Sequence, residues 1–441
     1  MAKSETKLVR VIGRWSLAAL MLNTMIGGSI FGLPSVIAAR LGRVSPLAYL
    51  IAFAGVAIIA ACLAEVASRF HQAGGPYLYA REAFGPFAAI QMGWLTWLSR
   101  ITASAAVANL FIAYLSEFAP MLQAPFARAC TMILLIAFLA STNYVGVSTG
   151  NRLSNFFTIT KLALLGAFVF SGLVALALHP SIRATPPALH PTRSDWFEAV
   201  ILLIYAYGGF EAALFPASEA RDPKRDAPAA LLIALASVTL LYVGVQYVVI
   251  HTIANASATE RPFVDAARQF AGPLGTLLVA GGAVISCYGY LSANMLHTPR
   301  LTFAMAEGCD FPAWFGAIHS RFRTPHVSIV AFAVALALFS LIGNFRWNAV
   351  LSAVSRLFIY ACVAAALPAL RKKSPGGENF HLPIAPLFVA LALVFTGVLV
   401  IQMHRANFLA LLTVAAFGAA NWLWARQRSL RQPLLETDAD S

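Results

Sequence analysis

Long apolar runs recur along almost the whole chain, and many approach the roughly 20 residues that a helix needs to cross a bilayer. Of the 441 residues, 59% are hydrophobic and only 11% are charged, whereas a typical soluble domain has about 25% charged residues. Because backbone polar groups in lipid must be satisfied within the spanning segment, these runs predict helices. The short alternating segments of a membrane β-barrel do not dominate the sequence. The chain is therefore predicted to be an all-α integral membrane protein.

Twelve membrane-spanning helices are predicted from these runs. The first apolar stretch is too long for the core of a signal peptide and lacks a small-residue cleavage pattern, so we interpret it as the first span. An N-terminal tail of residues 1–14 and a C-terminal tail of residues 426–441 flank the spans. The spans are expected near residues 15–39, 46–68, 86–117, 124–145, 152–178, 195–219, 227–252, 272–304, 326–343, 347–368, 382–401 and 405–425.

Lys and Arg are unevenly distributed between the two sides that alternating spans define. With both termini in the cytoplasm, 19 of the 31 Lys and Arg residues fall in cytoplasmic segments and 9 on the opposite side. The other three, Arg100, Lys161 and Arg356, fall inside spans. Such an excess is typical of cytoplasmic loops. It predicts a multi-pass protein of the cell inner (plasma) membrane with both termini cytoplasmic, and it explains the net charge of +13 without a nucleic-acid partner.

The residue types that would indicate a metal or enzymatic centre are not arranged as such centres require. The five cysteines are scattered, mostly in apolar runs, and the histidines show no ligand spacing. A Gly-Lys-Ser/Thr phosphate-binding motif does not occur, which argues against ATP-driven transport. Paired carboxylates, a His/Asp motif or a nucleophile elbow does not occur inside the spans. We therefore expect no metal, no cofactor and no enzymatic activity.

The first span is interrupted by helix-breaking residues near its middle. Gly27, Gly28, Ser29, Gly32 and Pro34 lie within an apolar run, although Gly costs about 1 kcal/mol and Pro about 3 kcal/mol relative to Ala inside a helix. A broken helix in a membrane frees N–H and C=O groups that protein, water or a ligand must satisfy. The start of the second half-helix would suit an anion such as a substrate carboxylate. The alternative is a tight helix crossing that uses glycine as a small residue.

The sixth span contains a second break of the same kind. Tyr205, Ala206 and Tyr207 precede the pair Gly208 and Gly209, and Glu211 follows them. An acidic side chain deep in a span is costly and usually functional. The first and sixth spans are corresponding members of two five-helix halves, and breaks at corresponding positions indicate an inverted-repeat transporter with a central binding site. The predicted repeats are residues 15–178 and 195–368, followed by two further helices within residues 382–425.

Four motifs in order resemble the amino acid permeases of the amino acid–polyamine–organocation superfamily. The similarity extends from about residue 14 to residue 370. One departure is Gly27-Gly28-Ser29, where the family usually has Gly-Ser-Gly. The motifs are MIGGSIFGLP at 25–34, GGPYLY at 74–79 with AFG at 83–85, EARDPKRDAP at 219–228, and AMAEG at 304–308 with FP at 311–312.

The resemblance implies five-plus-five inverted repeats, discontinuous helices 1 and 6, and an amino acid bound between helices 1, 3, 6, 8 and 10. The substrate carboxylate is expected at the N–H groups near Gly28, Ser29 and Ile30. Its ammonium is expected at the carbonyls near Met25, Ile26, Tyr205 and Ala206. Tyr205 or Tyr207 would cover the site as an aromatic gate, or would simply be packed with its hydroxyl satisfied.

Two basic residues inside spans bear on coupling and specificity. Lys161 matches a lysine that sodium-independent family members carry where sodium-coupled relatives bind the ion, so the resemblance implies sodium independence. Burial could also let Lys161 exchange a proton; the alternative is a lysine that extends to the cytoplasmic surface. Arg100 in the third span disfavours cationic substrates and favours acidic or neutral ones, unless it pairs with Glu211. Arg356 is given no role.

These observations predict a sodium-independent secondary transporter of amino acids that works by alternating access in the lipid bilayer. It would be proton-coupled or an exchanger. A carrier of polyamines or related organic amines is the alternative, although more acidic residues in the spans and no Arg100 would favour it. A channel ranks lower, because the matching polar rings of a pore are not evident.

Overall fold

The computed structural model describes residues 13–70, 75–146, 151–213, 223–373 and 380–439. These residues form α-helices joined by short turns, which agrees with an all-α chain. The helices are α1 (Arg14–Met25), α2 (Leu33–Leu41), α3 (Ser45–Ser68), α4 (Gly75–Phe84), α5 (Pro86–Leu115), α6 (Pro125–Val145), α7 (Asn151–Leu178), α8 (Arg193–Tyr207), α9 (Phe210–Ala213), α10 (Pro223–Thr252), α11 (Pro262–Phe270), α12 (Gly272–Glu307), α13 (His326–Ile342), α14 (Phe345–Lys373), α15 (Ala385–Ile401) and α16 (Arg405–Ala439).

Local sequence explains where several helices begin. Prolines occupy the first turn of α5, α6 and α11, where the missing N–H costs nothing because no intrahelical acceptor exists there. At the start of α8, Thr192 and Asp195 form a capping box in which each side chain accepts the backbone N–H of the other. This arrangement satisfies two N–H groups that the helix leaves free.

Eight helical stretches of the described residues are long and apolar enough to cross a membrane, and α13 and α15 are apolar but shorter. The chain is accordingly a multi-pass membrane protein. The short helices α4 and α11 lie between longer ones, in segments where we predicted only loops. The final helix α16 continues to Ala439 and so includes residues that the sequence assigned to the C-terminal tail. Residues 1–12, Gly74 and 219–222, which belong to the predicted tail and motifs, lie outside the described residues.

Ion pairs show which helix ends share a face of the bundle. We call the end where α1 begins the α1 face and the end where α2 finishes the α2 face. Arg40 of α2 pairs with Asp195 at the start of α8, so α8 begins at the α2 face. At the other end, Arg14 of α1 pairs with Asp226 in the first turn of α10. α1 and α10 therefore begin at the α1 face, and α8 begins at the α2 face.

The helix α5 packs against α12 and α14, while α1 packs against α10. In the most apolar 18-residue window of α5, 89% of the residues are buried inside the protein, compared with 17% for α6. A polar side chain on α5 therefore faces other helices and not lipid. This central position makes α5 a wall of the space between the interrupted helices.

Candidate functional site

The first spanning segment is interrupted between α1 and α2. The α-helix ends at Met25, Ile26 and Gly27 are not helical, and residues 28–31 form a 3-10 turn before α2 begins. The whole interruption is buried. Gly28 is required by close packing, because a Cβ atom there would lie 2.7 Å from Val107 Cγ1 of α5 and 3.2 Å from Cys287 Sγ of α12.

Lys161 of α7 binds the carbonyl groups that this break releases. Its Nζ donates to the carbonyl oxygen of Asn23 at 2.5 Å and to that of Ile26 at 2.7 Å. Carbonyls at the end of a helix carry partial negative charge, so an ammonium group is well placed there. The side chain therefore turns into the bundle, and the extension to the membrane surface that we considered is not what the structure shows.

The N–H groups that follow the break are free to bind a ligand. Gly28 and Ser29 are the first two residues of the 3-10 turn, so the turn offers their N–H groups no acceptor, and no other acceptor for them occurs among the described residues. The neighbouring carbonyl of Met25 accepts from Gly27 N at 2.9 Å and from the Tyr242 hydroxyl at 3.5 Å. A run of buried donors without acceptors is uncommon. It provides the chemistry that a carboxylate requires.

The second interruption lies between α8 and α9 and touches the first. α8 ends at Tyr207, and Gly209 adopts a positive φ of 117°, a conformation open mainly to glycine. A Cβ atom on Gly209 would lie 2.3 Å from the carbonyl oxygen of Thr24 in α1. The two breaks are therefore in direct backbone contact, and a larger residue would force them apart.

Glu211 is held by a network that includes Arg356 of α14. Its carboxylate accepts from Arg356 Nη1 at 2.5 Å, from the Gly209 N–H at 2.8 Å and from the Tyr360 hydroxyl at 3.3 Å. Gly208 leaves space for the guanidinium, because a Cβ there would lie 2.0 Å from Arg356 Nη1. The partner of Glu211 is thus Arg356, and the pairing with Arg100 that we considered is not formed.

The two candidate gate tyrosines point to different parts of the protein. Tyr207 is completely buried, and its hydroxyl lies 3.1 Å from the Tyr49 carbonyl and 2.9 Å from Thr239 Oγ1. The hydroxyl of Tyr205 lies 3.4 Å from the Ala103 carbonyl of α5, and its ring centroid lies 6.3 Å from that of Phe345. Tyr205 therefore faces α5 and the start of α14, whereas Tyr207 packs between α3 and α10.

The carbonyls expected to meet a substrate ammonium are partly occupied. The Ile26 oxygen is bound by Lys161, and the Tyr205 oxygen accepts from Gly208 N at 3.3 Å. For the Ala206 carbonyl the described residues supply no donor. Of the four carbonyls expected to meet the ammonium, that of Ala206 is consequently the one without a donor among the described residues. No cluster of three His, Cys, Asp or Glu that could hold a metal ion occurs in the described part of the chain.

Comparison with known protein families decides the class of the chain. The model of the amino acid permease family matches residues 12–420, which is most of the sequence. The chain belongs to the amino acid permease family. The resemblance found in the motifs is thereby confirmed, and the permease is a membrane transporter and not an enzyme.

The permease is similar over most of its length to known bacterial transporters. It is 26% identical over 409 residues to the serine/threonine exchanger of Bacillus subtilis, covering 89% of the permease and 91% of that protein. It is 24% identical over 449 residues to the branched-chain amino acid permease of the same organism, covering 96% and 95%. The methylthioribose transporter of that organism is 26% identical over 411 residues, covering 88% and 87%. Because the three names differ in solute, the substrate of the permease must be argued from its own residues.

Two charged groups of the permease were not recognised from its sequence. Arg356 was seen as a residue inside a span but was given no partner. Glu65, near the end of α3, is completely buried, and its carboxylate binds Arg69, Arg371 and the Leu382 N–H at 2.6–2.9 Å. This cluster joins α3 to α14 at the α1 face. Arg69 just after α3 and the run Arg371-Lys372-Lys373 at the end of α14 were the available signal.

Proposed function

We propose that the permease is a sodium-independent secondary transporter that moves amino acids across the plasma membrane by alternating access. The observation that carries this proposal is the contact between two interrupted helices, Gly209 against Thr24, with free N–H groups beside it. Interrupted helices that meet within a bundle are the usual construction of a transporter binding site. The membership of the amino acid permease family supports the same class of solute.

The proposed architecture has twelve spans in two inverted five-helix repeats, residues 15–178 and 195–368, with two additional helices in residues 382–425. The positions of the breaks support it. α1 and α2 open the first repeat, and α8 and α9 open the second. Half-helices at corresponding positions let each repeat tilt against the other around a fixed site. The 19-to-9 distribution of Lys and Arg supports cytoplasmic termini.

We assign the substrate carboxylate to the N–H groups of Gly28, Ser29 and Ile30. The ammonium would then face the Ala206 carbonyl, which has no donor among the described residues. Tyr205 would cover the bound amino acid, because it is the tyrosine that contacts α5 and lies near Phe345. This arrangement uses one group from each break, so the substrate itself would join the two half-helices.

Lys161 is assigned the role that sodium has in ion-coupled carriers, because its ammonium already binds two carbonyls at the first break. A fixed cation there leaves no place for a second one. Coupling would then be to protons or to a counter-transported amino acid. A carrier of polyamines is less well supported, because the one acidic side chain at the breaks is already neutralised by Arg356. A channel is not supported, since the first break is packed against Val107 and Cys287.

The test is uptake by the purified protein in proteoliposomes, with a panel of amino acids and amines. We expect saturable uptake of at least one amino acid that is unchanged when sodium is replaced by choline. Either an inward proton gradient or an internal amino acid should stimulate it. Stimulation by a sodium gradient would refute the role of Lys161. Uptake of polyamines without uptake of any amino acid would refute the proposed substrate class.

A further inference from the structure

A row of polar side chains on α5 has no hydrogen-bond partners among the residues that the structure describes. Thr96, Arg100 and Ser104 are spaced four residues apart, so they lie one above another on a single face of the helix. The hydroxyl oxygens of Thr96 and Ser104 are buried and make no hydrogen bond. Within the described residues, Arg100 makes neither an ion pair nor a hydrogen bond. We call these three residues the α5 polar row.

The α5 polar row faces the helix breaks. Ala103 and Val107 lie on the same face as Arg100, three and seven residues further along. Val107 packs on Gly28 of the first break, and the Ala103 carbonyl receives the Tyr205 hydroxyl from the second. The row therefore begins at the level of the breaks with Ser104 and continues from there toward the α1 face.

Arg100 cannot reach the membrane surface. It is the fifteenth of the 30 residues of α5, so its Cα lies about 20 Å along the helix axis from either end. Its neighbours Leu98, Ser99 and Ile101 are buried. Arg100 itself stays partly accessible. On a helix that other helices surround, this accessibility belongs to an internal space and not to the lipid surface.

The charges around the breaks leave an excess of positive charge. Among the described residues, Lys161, Arg356 and Arg100 are the cations and Glu211 is the only acid there, and Arg356 already neutralises it. Arg100 acts electrostatically on Glu211 and on Tyr290, whose ring packs on Gly27. A guanidinium at this depth is costly unless an anion compensates it. A hydroxyl on either side of Arg100 would complete the coordination of such an anion.

We propose that the α5 polar row binds an anionic side chain of the substrate, so that the transported solute is a dicarboxylic amino acid. This inference rests on the proposed function and narrows its substrate class. The α-carboxylate would bind at the first break, as any amino acid would. The second carboxylate would accept hydrogen bonds from Arg100 and from one of the two flanking hydroxyls, because Thr96 and Ser104 lie about 12 Å apart along the helix axis and a single carboxylate cannot bridge them.

The experiment compares acids with their isosteric amides in proteoliposomes. Aspartate and asparagine, and glutamate and glutamine, differ in charge with almost no change in shape. We expect the wild type to prefer the acid over its amide in competition for uptake. Arg100→Gln should reduce that preference about 10- to 100-fold, since a hydrogen bond to a charged group contributes roughly 1.5–3 kcal/mol. Arg100→Lys should restore part of it.

Two matched sets of variants separate binding from folding. Thr96→Val and Ser104→Ala each remove a hydroxyl that has no partner among the described residues. The variant that loses the hydroxyl next to the bound carboxylate should lower the acid preference without lowering the thermal midpoint, and the other variant should leave both unchanged. Arg43→Gln, on an exposed turn between α2 and α3, should leave both quantities unchanged. If Arg100→Gln does not fold, the acid-to-amide ratio of the wild type still tests the proposal.

Three outcomes would overturn the inference. In the first, the wild type takes up an amide or another neutral amino acid as well as the acid. In the second, Arg100→Gln folds and keeps the wild-type ratio. In the third, neutral uptake requires chloride and Arg100→Gln removes that requirement, which would make the row a chloride site. Each leaves amino acid transport intact, whereas absence of uptake for all amino acids would refute the proposed function itself.

Discussion

The break between α1 and α2 is held by a cation, whereas the break between α8 and α9 is held by an anion. At the first, Lys161 binds two carbonyls at the end of a helix. At the second, Glu211 binds the N–H of Gly209. The signs follow from helix geometry, because a helix end exposes carbonyls and a helix start exposes N–H groups. Each break therefore receives the charge that its free backbone groups favour.

The two breaks differ in where that charge comes from. Lys161 comes from another helix, 138 residues away in the chain, so it ties the first break directly to α7. Glu211 lies only two residues after Gly209, and Arg356 of α14 is what ties the second break to a neighbour. A single long-range contact, from Lys161, therefore ties the first break to another helix. The second break is tied through two successive contacts, from Gly209 to Glu211 and from Glu211 to Arg356. Removing one of these two contacts should therefore cost more stability than removing the contact of Lys161.

Arg356→Met should produce the largest effect. It leaves Glu211 inside the bundle with only the Gly209 N–H and the Tyr360 hydroxyl, and breaking a buried pair in this way costs about 3–5 kcal/mol. We expect a clear fall in the thermal unfolding midpoint of the purified protein in detergent. The double variant Glu211→Gln with Arg356→Met should recover most of the loss. An equally unstable double variant would show that packing of Arg356, and not its charge, is what matters.

Gly209→Ala tests the backbone contact that the two breaks share. Its φ of 117° disfavours alanine, and the new Cβ would approach the Thr24 oxygen to 2.3 Å. Backbone strain alone costs about 1–3 kcal/mol, and displacement of α1 adds to it. We expect loss of transport together with a lower midpoint. Gly166→Ala in α7 is the control, because a Cβ there meets nothing within 4 Å. Normal uptake by Gly209→Ala would mean that the breaks need not touch.

Lys161→Met removes the single contact of the first break. The carbonyls of Asn23 and Ile26 lose a charged donor, but the cost of burying an ammonium is removed as well, so we expect a net loss of about 1–3 kcal/mol. The loss of uptake should exceed the loss that the lowered stability alone would cause. Lys372→Met, an exposed lysine near the end of α14, provides the control for loss of charge. A Lys161→Met variant with full uptake would show that the tie to α7 is not used in transport.

Glycine patterns made both breaks predictable, and the order of the apolar runs placed them on the first and sixth spans. Contacts between distant residues were not predictable in the same way. Glu211 and Arg356 are 145 residues apart, and nothing in either local sequence says that they meet. Arg100 was an equally plausible partner, because it too is a cation inside a span. The packing of the helices distinguishes the two arginines, because the guanidinium of Arg356 lies in the space that Gly208 leaves without a side chain.

For the two tyrosines beside the second break, the sequence likewise did not show which neighbours each side chain meets, although the two residues are close together in the chain. Tyr205 and Tyr207 are two residues apart, so they point to different sides of α8, and the sequence named both as candidate gates. Which side faces the site depends on how α8 packs against its neighbours. The hydrogen bonds of Tyr207 to α3 and α10 identify it as the packed residue, and they lead to the smallest of the expected effects.

Tyr207→Phe should cost about 1 kcal/mol of stability, because it deletes hydroxyl contacts of 2.9 and 3.1 Å in a buried site. Tyr205→Phe should cost less, since its contact of 3.4 Å is long for a hydroxyl donor. For transport we expect the opposite order of effects. Tyr205→Ala should raise the KM for the transported amino acid, whereas Tyr207→Phe should leave this KM unchanged. Thermal midpoints and uptake kinetics of the three variants measure both quantities. A raised KM in Tyr207→Phe, with Tyr205→Ala normal, would assign the gate to Tyr207 and place the substrate on the α3 side of the second break.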